Sequence, residues 1–178
     1  AHGFRNARNL INEIKKDPHR HMLVIDPRRT EVAEVADLHL QLRPGTDAFL
    51  LGAILALILQ RDGEAATFLQ DHTTGFEEVR KVLLNTPIDE WIQHAGVTRT
   101  DVERAVELIL ASQAMSVRVE LGIQQGRYST LNSYLEKLLF LLTGNFGRKG
   151  TNNLHSWLQP LWGNSRGERS PVTGQEQI

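Results

Sequence analysis

The chain has 178 residues, and since a domain takes roughly 150, this predicts one domain with room for a modest second element. Hydrophobic residues at 40% and charged residues at 23% make an ordinary globular balance, and 20 Lys and Arg against 21 Asp and Glu leave no surplus for a generic nucleic-acid or anionic-membrane surface. Cysteine is absent, which excludes a disulfide scaffold, a thiolate zinc site, a cysteine nucleophile and an iron–sulfur cluster held by this chain.

The start, Ala1-His2-Gly3-Phe4-Arg5-Asn6, has no initiator Met, apolar signal core or twin-Arg leader, and the polar, turn-rich end lacks a closing apolar element; an internal segment is expected. Phe4, Leu10, Ile11 and Ile14 recur at helical spacing and Asp17-Pro18 supplies a stop, predicting a helix from Gly3 to Lys16. His21 to Ile25 is a short apolar run ending at Asp26-Pro27, the pattern of a buried strand with an Asp at its carboxyl end. Arg29 to Ala36 allows a short turn of helix. Leu38, Leu40 and Leu42 alternate with His39, Gln41 and Arg43, predicting a second strand that Pro44-Gly45 breaks.

Ala48 to Leu59 is apolar nearly all round and predicts a buried helix capped by Thr46 or Asp47. It falls short of the roughly 20 residues that a membrane span needs. Short helices are expected over Phe68–His72, Phe76–Leu84 and Asp89–His94, separated by Thr73-Thr74-Gly75 and Thr86-Pro87. Thr98 or Thr100 then caps an amphipathic helix carrying Val102, Ala105, Val106, Ile109 and Leu110 on one face. Val117 to Leu121 reads as a further strand, Gly122 to Gly126 as a turn, Leu131 to Leu142 as a helix and Gly144 to Gly150 as a tight glycine loop. Strands alternating with helices predict an α/β, Rossmann-like fold, a mostly parallel sheet with helices on both faces.

In such sheets ligands bind outside the carboxyl ends of the strands, where Asp26-Pro27-Arg28, Arg43-Pro44-Gly45 and Gly122 to Gln125 fall. Asp26 is placed to accept hydrogen bonds from adjacent ribose hydroxyls, or else to close an Asx-turn. Arg28 and Arg29 suit a diphosphate or a base face, or form a solvated surface pair. Gly45-Thr46-Asp47 opens the long helix, and an acidic residue there points to a donor-rich ligand such as the N1–H and N2 amino edge of guanine, alongside ordinary capping. Gln125 offers an amide to a heteroaromatic edge. The glycine loop permits close approach of a cofactor or simply ends a helix. No HExxH, GxGxxG, Walker lysine loop or GxSxG occurs, so no metal ligand and no catalytic residue is assigned.

Val24-Ile25-Asp26-Pro27-Arg28-Arg29-Thr30, Ala36-Asp37, Leu42-Arg43-Pro44-Gly45-Thr46-Asp47 and Leu141 to Arg148, taken in order, resemble the molybdopterin oxidoreductase family of dimethyl sulfoxide reductase, formate dehydrogenase and nitrate reductase relatives. The resemblance implies the family's central domain, which holds the guanosine end of a molybdopterin guanine dinucleotide in an enzyme doing redox chemistry at molybdenum or tungsten. It implies cofactor contacts from Asp26, Pro27, Arg28, Arg29 and Thr30 and from Gly45, Thr46 and Asp47. Leu121, Gly122 and Gln125 resemble the family's Met/Leu-Gly-x-x-Gln element. The metal-ligating residue and any iron–sulfur cysteines would lie upstream, the second dinucleotide would be held largely downstream, and the partners would be the remaining domains with an electron-transfer subunit or carrier. By itself this segment is expected to be inactive.

The implied division is a nucleotide-binding domain over residues 1–143, with residues 144–178 forming the glycine loop and the start of a loop-rich neighbour. The Arg that formate dehydrogenases of the family carry beside the metal aligns with His155, in Asn152-Asn153-Leu154-His155, a departure pointing away from formate. The competing readings are a free-standing, non-catalytic Rossmann-like nucleotide-binding or interaction module, and a dinucleotide dehydrogenase lobe using Asp26 on the ribose of NAD.

Overall fold

A parallel pair of short strands carries the loops of interest, and a long apolar helix behind them organises nearly everything else. The computed structural model describes residues 6–152. Helix α1 (Ala7–Lys16) ends where Asp17 turns extended ahead of Pro18, β1 is Leu23–Ile25, α2 is Glu31–Val35 and β2 is Leu38–Leu40. Next come α3 (Asp47–Gln60), α4 (Ala66–His72), α5 (Phe76–Leu84), α6 (Ile88–Ala95) and α7 (Arg99–Ala111). The described part closes with α8 (Leu121–Gln124), α9 (Ser129–Leu142) and the glycine loop.

Of the twelve α3 positions from Ala48 to Leu59 all but Phe49 are buried, so this helix has no solvent face and packs against α5, α6, α7 and α9. Leu50, Leu55 and Ile58 are fully inaccessible, and each such side chain contributes about 1.5–3 kcal/mol of transfer free energy. Gly52 is where α6 crosses closest: a Cβ there would overlap the Trp91 ring. Thr98 caps α7 by accepting the Asp101 N–H at 3.1 Å, as the sequence predicted. Thr46 does not cap α3; its hydroxyl donates to the Arg43 carbonyl at 2.6 Å and closes the preceding turn instead.

The sheet is smaller than predicted. β1 and β2 pair in parallel with Leu23 opposite Leu38 and Ile25 opposite Leu40, and among the described residues no third strand joins them. The expected mostly parallel sheet is therefore one parallel pair, and the predicted strand at Val117–Leu121 is corrected. Residues 115–120 alternate between half-buried and exposed, as a strand would, but belong to no ladder, and Leu121 already begins α8. The cause lies in the glycine loop: the Asn145 side chain accepts the Met115 N–H at 2.9 Å, and the Asn152 amide bonds both the N–H and the carbonyl of Val117 at 2.8 and 3.1 Å. Side chains have taken the backbone groups of one edge of this segment. Among the described residues no helix is long and apolar enough to cross a membrane.

Candidate functional site

β1 and β2 run in parallel, so the loops after them emerge at the same end of the sheet. The loop after β1 is Asp26-Pro27-Arg28-Arg29, and its conformation is fixed from two sides. Asp26 Oδ1 accepts the Arg28 N–H at 2.7 Å, an Asx-turn. From β2 and its extension, His39 Nε2 bonds the Asp26 carbonyl at 2.9 Å and Gln41 Nε2 donates to the Pro27 carbonyl at 3.1 Å. Asp26 therefore spends one carboxylate oxygen on local structure and keeps the other. Thr30 accepts the Ala33 N–H at 3.3 Å and caps α2.

The loop after β2 is tied to α6. Arg43 donates its backbone N–H to the Ala95 carbonyl at 2.8 Å, and its guanidinium reaches the Gln93 and His94 carbonyls at 3.1 Å each. These three bonds satisfy the last carbonyls of α6, where a cation also meets the negative end of the helix dipole. Gly45 then takes φ +78°, and the space that a Cβ would enter is open. A left-handed residue with nothing over it leaves the backbone accessible to a ligand. Asp47 follows as the first residue of α3, half-buried.

Both loops line a cleft of about 660 Å³, which also receives Gly122 from α8. Its remaining lining is mostly apolar, from β1, α7 and residues 115–120, with Leu23, Ile25, Ile109 and Val117 among them, and includes the charged Arg118, Glu120 and Glu136. Inside it the Asp47 carboxyl pKa is raised above the ordinary carboxylate value, first by burial, against the lowering effect of its own backbone N–H, and further by the charge of Asp26. Neither carboxylate has a cationic partner among the described residues. Two facing acceptors in a half-dry cleft, one destabilised by the other, make a receptor for hydrogen-bond donors.

The predicted residues divide accordingly. Asp26, Pro27, Gly45, Asp47 and Gly122 come together in the cleft, while Arg28, Arg29, Thr30, Thr46 and Gln125 are outside its lining. Arg28, Arg29 and Gln125 are exposed, and Thr30 and Thr46 serve the backbone. Asn153 and His155 lie outside the described residues. Sequence reading missed the positioning side chains His39, Gln41, Arg43, Asn145 and Asn152. The polar positions of the β2 alternation pointed to the first three, because strand pairing sets them beside the neighbouring loop. Asn145 falls in the Leu141 to Arg148 motif and Asn152 in the Asn152-Asn153-Leu154-His155 run, but neither motif marks them as positioning side chains. Among the described residues no cluster of three or more His, Asp or Glu is placed to hold a metal ion.

No family model matches the chain. Similar curated proteins do exist. The chain is 32% identical over 146 residues to a nitrate reductase of Synechocystis and 33% identical over 146 residues to F420-dependent formate dehydrogenase 1 subunit alpha of Methanococcus maripaludis. Each match takes in 82% of this chain and 20% and 21% of the relative, respectively. The solved acetylene hydratase of Pelobacter acetylenicus superposes with a TM-score of 0.75 at 25% identity, covering 82% of this chain and 20% of that one. The chain thus spans about a fifth of the length of these relatives.

Proposed function

We propose, from the premise that this chain belongs to the molybdopterin oxidoreductase family, that its cleft holds the guanosine end of a molybdopterin guanine dinucleotide. The observation that carries this reading is the meeting of Asp26 and Asp47 in one half-buried cleft at the carboxyl ends of two parallel strands. Asp47 accepts the N1–H and N2 amino group of guanine together, a pairing that adenine and its amino group cannot offer. Asp26 turns its free oxygen to the ribose hydroxyls. Gly45 admits the nucleotide backbone-close, Pro27 and Gly122 wall it, and the exposed Arg28, Arg29 and Gln125 meet the diphosphate and base edges from the rim, with Thr30 and Thr46 holding the two loops in shape. The half-buried setting strengthens each of these bonds relative to open water.

In this reading the fold is a Rossmann-like nucleotide-binding domain over residues 1–143, with residues 144–178 opening a neighbouring domain. The cofactor supplies redox chemistry at molybdenum or tungsten when bound, and this chain supplies binding and orientation. The whole enzyme is an oxidoreductase whose metal ligand, any iron–sulfur cluster and any electron-transfer partner are provided by other parts. Its donor-rich guanine edge relieves the Asp26–Asp47 repulsion, which favours binding at that end of the ligand.

Calorimetry with GDP and ADP tests the assignment. GDP is expected to bind at least about 10-fold tighter than ADP, the discrimination of a paired hydrogen bond, and Asp47→Asn is expected to abolish that preference. Equal affinities for GDP and ADP, or an unchanged preference in the variant, would remove Asp47 from the guanine site.

A further inference from the structure

Helix α9 turns a stripe of side chains into the core. Asn132, Leu135, Leu139 and Leu142 recur there at helical spacing, and all four are buried. The pattern calls for a leucine at the first of these positions. An asparagine stands there instead, and it is only half accommodated: its Nδ2 donates to the Ile123 carbonyl at 3.0 Å, while its buried Oδ1 accepts no hydrogen bond among the described residues. The other two buried polar side chains are bonded, Thr46 to the Arg43 carbonyl and Asn145 to Met115, Arg148 and Thr143. A buried acceptor without a donor costs its desolvation, which an apolar side chain of the same size avoids. A residue that breaks the stripe at a cost to stability points to a role outside stability.

What the amide grips shows the role. Ile123 lies in α8, a helix of four residues with no side chain capping its amino end, and its carboxyl end is closed by the Gln125 N–H on the Gly122 carbonyl at 3.3 Å. So short a helix has little stability of its own. A Cβ at Gly122 or at Gly126 would meet no neighbour within 4 Å, and Leu121 is 66% exposed, so packing does not fix the turn at these residues. Ile123 fixes it: its side chain packs against the core and its carbonyl takes the Asn132 amide. Gly122, which lines the cleft, and Gln125, which is exposed, are its near neighbours in the chain and move with it.

We propose that Asn132 is a positioning residue for the nucleotide site: through the Ile123 carbonyl it sets the place of α8, and with it the Gly122 wall and the Gln125 amide, without touching the ligand. The identity of the ligand rests on the guanosine reading of the cleft. Asn132 thereby differs from Asp47, which reads the base directly. Leucine at position 132 completes the stripe, removes the unpaired acceptor and gives up the grip on α8. It therefore separates the two roles, keeping the fold and loosening the hold on the nucleotide.

Asn132→Leu in this chain tests this by urea unfolding, amide exchange and calorimetry with GDP and ADP. The urea midpoint is expected at or above that of the parent chain, the Gln125 amide is expected to exchange about 10-fold faster, and GDP is expected to bind about 5-fold more weakly. A purely structural role would lower the urea midpoint and leave the affinity of the folded protein where it was; that result overturns the proposal, as does unchanged exchange at Gln125. Where the variant fails to fold, the Asn132 side-chain amide of the parent chain decides. Its exchange is expected to slow about 3-fold with GDP bound, because a ligand seated on Gly122 holds α8 in place, and bound GDP that leaves this amide unchanged overturns the proposal. Equal affinities of the parent chain for GDP and ADP count against the guanosine reading alone, since the comparison of variant with parent holds for either nucleotide. A parent chain that binds neither removes both.

Discussion

The two sides of α3 and the sheet differ in how far their apolar surface is used. Around α3 each buried side chain has found neighbours from α5, α6, α7 or α9, and the helix keeps no solvent face. Along β1 the same kinds of side chain remain half-exposed, and the backbone groups of Leu23 and Ile25 have no partner among the described residues. The first region is finished by residues within the chain. The second keeps apolar surface along the cleft, whose polar mouth sits on it.

A core truncation on each side tests that contrast most strongly. Leu55→Ala in α3 is expected to cost about 3–4 kcal/mol, transfer plus a cavity that the packed surroundings cannot collapse. Leu23→Ala in β1 is expected to cost about 1 kcal/mol, because a half-exposed side chain gives up less burial and leaves no enclosed cavity. Urea unfolding of both variants measures this, and equal losses would erase the distinction between the regions.

Two glycines divide the same way. Gly52→Ala places a methyl group in the Trp91 ring and is expected to cost about 2 kcal/mol by overpacking. Gly45→Ala meets no neighbour, so only its positive φ resists, at about 1 kcal/mol. A second change, Trp91→Leu, should recover part of the Gly52→Ala loss and none of the Gly45→Ala loss, as thermal melts of the double variants would reveal. Recovery in both would place the strain elsewhere.

Smaller again is Arg43→Ala. It removes two bonds to the α6 carbonyls at the surface and is expected to cost about 1 kcal/mol. Because Arg43 anchors the loop that carries Gly45 and Asp47, GDP affinity should fall several-fold more than this modest stability loss explains. An affinity that is unchanged separates the anchor from the site.

What the residue pattern revealed follows the range of the interactions behind it. Helix α3, the Thr98 cap and the two paired strands rest on local periodicity and capping, and each was readable. The 115–120 segment misled because Met115, Val117 and Val119 satisfy strand alternation, while the ladder it needs depends on a distant neighbour. Asn145 and Asn152, some 30 residues away, substitute side-chain amides for that neighbour. The carboxylates Asp26 and Asp47 were legible as a pair through the rule that strand carboxyl ends converge. Arg28 and Arg29 follow the same loop but are exposed and outside the cleft lining, at and just beyond the Asx-turn that Asp26 closes.

The smallest effect is also the one that ties site to stability. Burial and the Asp26 charge raise the folded-state pKa of Asp47 above its unfolded value of 3.8, so in that window the folded chain binds more protons than the unfolded one. Stability must then fall as pH rises through the window and stay lower above it. Asp47→Asn removes this loss, so the variant should gain on the parent chain between acid and neutral pH, and Asp26→Asn should recover the smaller share due to repulsion. Denaturation at a series of pH values reads the difference, and a flat difference would contradict the buried-carboxylate account. In the proposed reading a guanine edge would reverse the balance, because its two donors favour the ionised carboxylate that burial penalises. The Asn variant should therefore be the more stable protein and the poorer nucleotide binder, a trade expected where a site holds charge for its ligand.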